Sequence, residues 1–90
     1  MNLTHHATIR MQQRGMQPLI LEWLLEYGAE EYDSLGGCRR YFDKKSRKKL
    51  AKRFGKSVID RLGGLMNHYL IEQNNEILTV GHRLKHISHK

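Results

Sequence analysis

Ninety residues contain one cysteine, one proline and one tryptophan, and no apolar run approaches the roughly 18 residues of a membrane-spanning helix. Each scarcity excludes something. Cys38 alone cannot close an internal disulfide, and a single thiol fits a reducing cytoplasm. The opening Met1-Asn2-Leu3-Thr4-His5-His6 lacks the basic and apolar regions of a secretory signal. A mean hydropathy of −0.67 argues against a membrane protein. Repeats, low-complexity tracts and linkers are missing too, so residues 1–90 read as one small domain, too short for two separate cores. Carboxylates are sparse and spaced like a surface face, which disfavours two-metal nuclease chemistry. His82, His86 and His89 lie close together, but with no cysteine or carboxylate near them they are a weak zinc signal, and no metal or cofactor is expected.

What is abundant is positive charge. Sixteen Lys and Arg against nine Asp and Glu give a net charge of +7. The excess is concentrated between Arg39 and Lys56, where ten cations meet only Asp43, a net of about +9 in a remainder of about −2. Just upstream, Glu22, Glu26, Glu30, Glu31 and Asp33 form an acidic run. Charge separated in this way implies a partner of opposite sign.

Local signals predict an α+β domain: two N-terminal helices packed on a small antiparallel sheet of about four strands, with a basic helix inserted between the strand pairs. Thr4 is placed to cap a first helix that Gly15 stops. Pro18 opens a second, whose apolar face is Leu19, Ile20, Trp23, Leu24 and Tyr27 before Gly28. Residues 29–33 and 38–42 read as a hairpin across Ser34-Leu35-Gly36-Gly37. From Lys44 the pattern turns helical: Leu50, Ala51, Phe54, Val58 and Leu62 share one sector, with Lys45, Lys48, Lys49, Lys52, Arg53 and Lys56 opposite. Gly55 is a candidate break, after which Ser57 and Asp60 have capping-box spacing. Residues 65–72 and 76–83 read as two strands joined at Gln73-Asn74-Asn75.

Two groups of residues carry candidate chemistry. His6, Arg10 and Arg14 recur every fourth residue and form a polar stripe on the first helix, suited to phosphate or to a solvated face. In Thr79-Val80-Gly81-His82-Arg83, alternation places Thr79, Gly81 and Arg83 on one side of a strand and Val80 and His82 on the other. Histidine can move protons near neutrality and arginine can hold a phosphate through two parallel hydrogen bonds, which are the parts of metal-free RNA cleavage. His5, His68, Tyr41 and Tyr69 join the list as acids, bases or stacking platforms. Cys38, beside Arg39-Arg40, reads as a small buried hydrophobe ahead of a reactive thiol. The basic helix suits a polyanion, with an acidic protein segment or the chain's own acidic run as the alternatives.

The start, His6-Ala7-Thr8-Ile9-Arg10-Met11-Gln12-Gln13-Arg14-Gly15-Met16, resembles the His-Ala-x-x-Arg-Met-x-x-Arg-Gly opening of a family of small bacterial proteins of uncharacterised function. Thr79-Val80-Gly81-His82-Arg83 resembles that family's closing strand. The family is related to the RelE/ParE toxin superfamily, and the resemblance implies a RelE/ParE-like fold and a toxin-like, metal-independent endoribonuclease acting on RNA under the control of an acidic antitoxin. Carried over residue by residue, it assigns His6, Arg10, Arg14 and Arg83 to the catalytic site. The basic stretch from Lys44 to Lys56 departs from the family's short connection and looks like an insertion. Two alternatives stand beside the nuclease: a noncatalytic module binding nucleic acid or an acidic protein, and a ParE-like toxin directed at a protein.

Overall fold

The computed structural model describes residues 2–82. Helix ends follow local chemistry. Thr4 Oγ1 accepts the Ala7 N–H at 3.1 Å and starts α1 (His5–Arg14), which ends where Gly15 turns left-handed at φ 68°. Pro18 occupies the first turn of α2 (Pro18–Tyr27), where a missing N–H removes no helical bond. This helix buries Ile20, Trp23 and Leu24 but leaves Leu19 exposed, a narrower apolar face than the sequence suggested.

Asp43, the lone acid in the basic block, caps α3 (Lys44–Phe54). Its Oδ1 accepts the Ser46 N–H and the Ser46 hydroxyl, each at 2.8 Å. The backbone bond first, then the hydroxyl bond, holds the Asp43 carboxyl below its ordinary range. A carboxyl depressed by folding stabilises the protein above its unfolded-state pKa, and that contribution is lost as pH falls through the folded-state value. Asp43→Asn should therefore flatten the acid limb of stability against pH in urea titrations. Asp43→Ala should cost about 1 kcal/mol at neutral pH.

The break at Gly55 is real, with φ 100°, but Gly55 itself caps α4 (Lys56–Leu62) and no side chain makes a capping bond there, so the expected Ser57–Asp60 box does not form. The break also changes the helical phase. Ile59 and Leu62 pack against the core, while Val58, expected inside, is 40% exposed. A 3₁₀ turn over Gly63–Asn67 then replaces the first residues assigned to a strand.

The sheet differs from the expected four antiparallel strands. Among the described residues it has five, β1 (Asn2–Leu3), β2 (Ala29–Tyr32), β3 (Cys38–Tyr41), β4 (His68–Gln73) and β5 (Glu76–His82), in the order β1-β5-β4-β3-β2. It is mixed, because β1 runs parallel to β5 with Leu3 beside Ile77. Asn74 and Asn75, at φ 53° and 64°, supply the two left-handed residues of the tight β4–β5 turn. Pairing of Ile71 with Thr79 and of Glu72 with Ile77 leaves Leu78 as a bulge. The bulge lets Ile77 and Val80 both enter the core, although strict alternation would send them to opposite faces.

One face of the sheet is covered. Helix α1 packs on β5, α2 on β3 and β4, and α3 on α2. Leu70, Ile77 and Val80 meet Ala7, Met16, Ile20, Trp23, Leu24, Phe42, Leu50 and Met66 there. The chain is thus α+β, with two N-terminal helices on a sheet and the basic helix between its two hairpins. No described helix is long and apolar enough to cross a membrane.

Candidate nucleic-acid interface

The structure divides the basic block into two populations. Arg39 and Arg40 belong to the sheet and are neutralised within it: Arg39 pairs with Glu31, and Arg40 with Glu72 and, at 2.8 Å, with Glu30. Arg40 also donates to the Leu25 carbonyl at 3.0 Å. Burial works against its charge, but the hydrogen bond and charge of Glu72, then Glu30, outweigh that and raise the guanidinium pKa. Arg47 is likewise committed, donating to the Met66 carbonyl at 3.1 Å and the Asn67 side chain at 3.0 Å. The acidic run is therefore answered in part by strand arginines, not by the basic helix.

The second population is unpaired. Lys44, Lys45, Lys48, Lys49, Lys52, Arg53 and Lys56 are exposed and form no ion pair among the described residues. At 100° per residue, the six on α3 occupy half of its circumference, while Ser46 and Leu50 are buried on the other half. Lys44, Lys48 and Lys52 make one row and Lys45, Lys49 and Arg53 another, with a rise of about 6 Å between successive members. Asp43, the helix cap at their start, is the one acid beside these rows, and its charge lies next to Lys45.

The sheet face that none of the described helices covers brings together two residues that are far apart in the chain. Tyr41 and Tyr69 are cross-strand partners, and Tyr69 is in turn opposite Gly81. A Cβ on Gly81 would stand 2.6 Å from the Tyr69 ring, so glycine is what lets that ring lie across β5. Arg39 sits over Tyr41, its Cζ 5.3 Å from the ring centroid. Helix α3 begins three residues after Tyr41, so the cation rows start close to this aromatic pair.

The other site candidates separate. His6 and Arg14 lie on the exposed surface of α1 with no side-chain hydrogen bond or ion pair among the described residues, and Arg10 is half-buried and reaches Gln13 at 3.5 Å. Arg83, with His86 and His89, falls outside the described residues. His68 is not a free acid or base. It is 2% exposed, with Nδ1 3.0 Å from the Leu65 carbonyl and Nε2 3.2 Å from the Arg14 carbonyl, and it staples the end of α1 to the 3₁₀ turn. His82 meets it edge to face at 5.2 Å and bonds the Gly64 carbonyl. Burial first, opposed by Arg40, pushes the Cys38 thiol above its ordinary range, which argues against a reactive thiolate. Among the described residues no three His, Cys, Asp or Glu side chains are grouped to hold a metal. Compared with protein-family models, curated proteins and solved structures, the chain matches none.

Proposed function

We propose that this domain binds RNA, with the outer face of α3 holding the phosphate backbone. One observation carries the reading: seven neighbouring cations stay exposed and without an ion pair among the described residues, while Arg39 and Arg40 upstream are neutralised by glutamates. Solubility alone does not require half a helix surface of one sign. The Tyr41–Tyr69 pair near the start of α3 adds aromatic surface of the kind on which unpaired bases stack. Fluorescence anisotropy of a short single-stranded RNA over a range of salt concentrations tests this. About six phosphate contacts predict a slope of log K against log salt near −4, a fall of about two orders of magnitude between 50 and 200 mM salt. Affinity independent of salt would rule the reading out.

The second reading adds cleavage. His6 and Arg14, exposed and without hydrogen-bond or ion-pair partners among the described residues on the surface of α1 that also carries Arg10, are available to a substrate, and with Arg83 they make up the set expected of a toxin-like endoribonuclease. RNA incubated with the protein and chelator should then acquire cyclic phosphate ends, and His6→Ala should abolish them. RNA that stays intact leaves binding without catalysis. An acidic antitoxin segment is the protein partner that the α3 face would suit, and it should compete with RNA for that face.

A further inference from the structure

The cation rows of α3 run into an open groove of about 450 Å³ between its last turn and the second half of α2. Trp23, Tyr27 and Phe54 line it together with Glu22 and Glu26 of α2 and Arg53 of α3. Phe54 stacks on Trp23, centroids 4.8 Å apart and planes 25° apart, and meets Tyr27 edge-on at 6.1 Å. Core packing accounts for Trp23. It does not account for Phe54, which is 38% exposed and has the Arg53 guanidinium carbon 5.6 Å from its ring centroid. The groove also holds opposite charges that do not meet: among the described residues neither Glu22 nor Glu26 forms an ion pair, although Arg53 lines the same groove.

Carboxylates are out of place on a surface that only attracts phosphate, since they repel it. They make sense where a base presents hydrogen-bond donors. An aromatic ring capped by a displaceable cation, flanked by the exposed carboxylates of Glu22 and of Glu26, the latter sharing a hydrogen bond with the Tyr27 side chain, and placed at the end of a phosphate-binding ridge, has the parts of a nucleobase pocket. We propose that this groove takes one unpaired base of the bound strand and selects guanine. The inference rests on the RNA-binding reading above and adds a preference to it. The base stacks on the face of Phe54 that Arg53 now overlies, and the guanidinium moves to a flanking phosphate. A carboxylate of Glu22 or Glu26 accepts two parallel hydrogen bonds from the guanine N1–H and N2–H. Adenine and cytosine offer that carboxylate only an exocyclic amine, and uracil a single ring N–H, so each leaves a carboxylate oxygen unpaired beside the strand.

The test is anisotropy titration of uridine-rich oligoribonucleotides that differ at one central position. Guanosine there should bind about tenfold more tightly than adenosine, with inosine, which lacks the N2 amine, in between. Exchanging both exposed carboxylates for amides, Glu22→Gln with Glu26→Gln, should weaken the guanosine oligomer and strengthen the all-uridine one, because the same change removes a ligand and a repulsion. A purely structural role for these residues would not move the two oligomers in opposite directions. Phe54→Leu should level the series. Salt-sensitive binding with equal affinity for guanosine and adenosine overturns the groove and leaves the α3 reading standing; so does a guanosine preference that survives the double glutamine variant. Failure of every oligomer to bind removes the RNA reading and the groove together.

Discussion

Neutralising the outer face of α3 should remove RNA capture without unfolding the protein. Lys45, Lys48, Lys49 and Lys52 are exposed, and none takes part in a hydrogen bond or ion pair among the described residues, so replacing all four by glutamine disturbs no contact of the core. Loss of four contacts should flatten the salt slope for single-stranded RNA from about −4 to about −1 and lower affinity at low salt by about a hundredfold or more. Thermal melting and far-ultraviolet circular dichroism should remain those of the wild type. An unchanged slope would mean that RNA is held elsewhere. Arg47 must be left in place, because its guanidinium holds the Met66 carbonyl and Asn67 and its loss would mix a folding defect with a binding defect.

The largest expected effect on stability lies in the other population of cations. Arg40 and Glu72 have side chains 17% and 11% exposed and are bonded directly to each other, with Glu30 and the Leu25 carbonyl completing the arginine's partners. Arg40→Met leaves Glu72 charged and nearly enclosed, which should cost about 3–5 kcal/mol. In a domain of this size that is a fall of about 15 °C or more in melting temperature. The double variant Arg40→Met with Glu72→Leu removes both charges and should recover most of the loss, because a buried pair often contributes little over an apolar replacement of similar volume. A double variant as unstable as the single one would mean that the arginine acts through its bond to α2, the Leu25 carbonyl, and not through the carboxylate.

What could be read in the sequence was local. Thr4, Gly15, Pro18 and Gly28 mark the ends of α1 and α2 within a few residues of the groups they bond, and Asn74-Asn75 encode a turn by their own conformational tolerance. What could not be read depends on register between distant segments. Arg39 and Arg40 count toward the basic block by sequence, and only the pairing of β3 with β2 and β4 sets them beside Glu30, Glu31 and Glu72. Two residues, Asn2 and Leu3, carry too little periodicity to announce a strand, and their parallel pairing with β5 is a tertiary fact. The change of phase after Gly55 overturned the inward assignment of Val58, and the bulge at Leu78 is a local shift of register that constant alternation does not announce. The α3 cations were legible because a helix with an apolar stripe fixes its opposite side. The groove beside Phe54 was not, since Trp23 and Phe54 both read as core and only their stacking shows that one of them reaches the surface.

Thr4 links the two ends of the described chain more tightly than its role as a cap suggests. Besides accepting the Ala7 N–H, its hydroxyl donates to the carbonyl of Leu78 at 3.1 Å, and its own N–H reaches the Ile77 carbonyl at 3.1 Å. Both bonds wait for β5, the last of the described strands to be synthesised. Closure between positions 74 residues apart is slow compared with forming a helix or a hairpin. During translation, therefore, α1 and α2 and the β2–β3 hairpin can form while residues 2–4 remain undocked. Among the described strands the N-terminal segment is locked only once β5 is in place, and its protection from hydrogen exchange should report that closure.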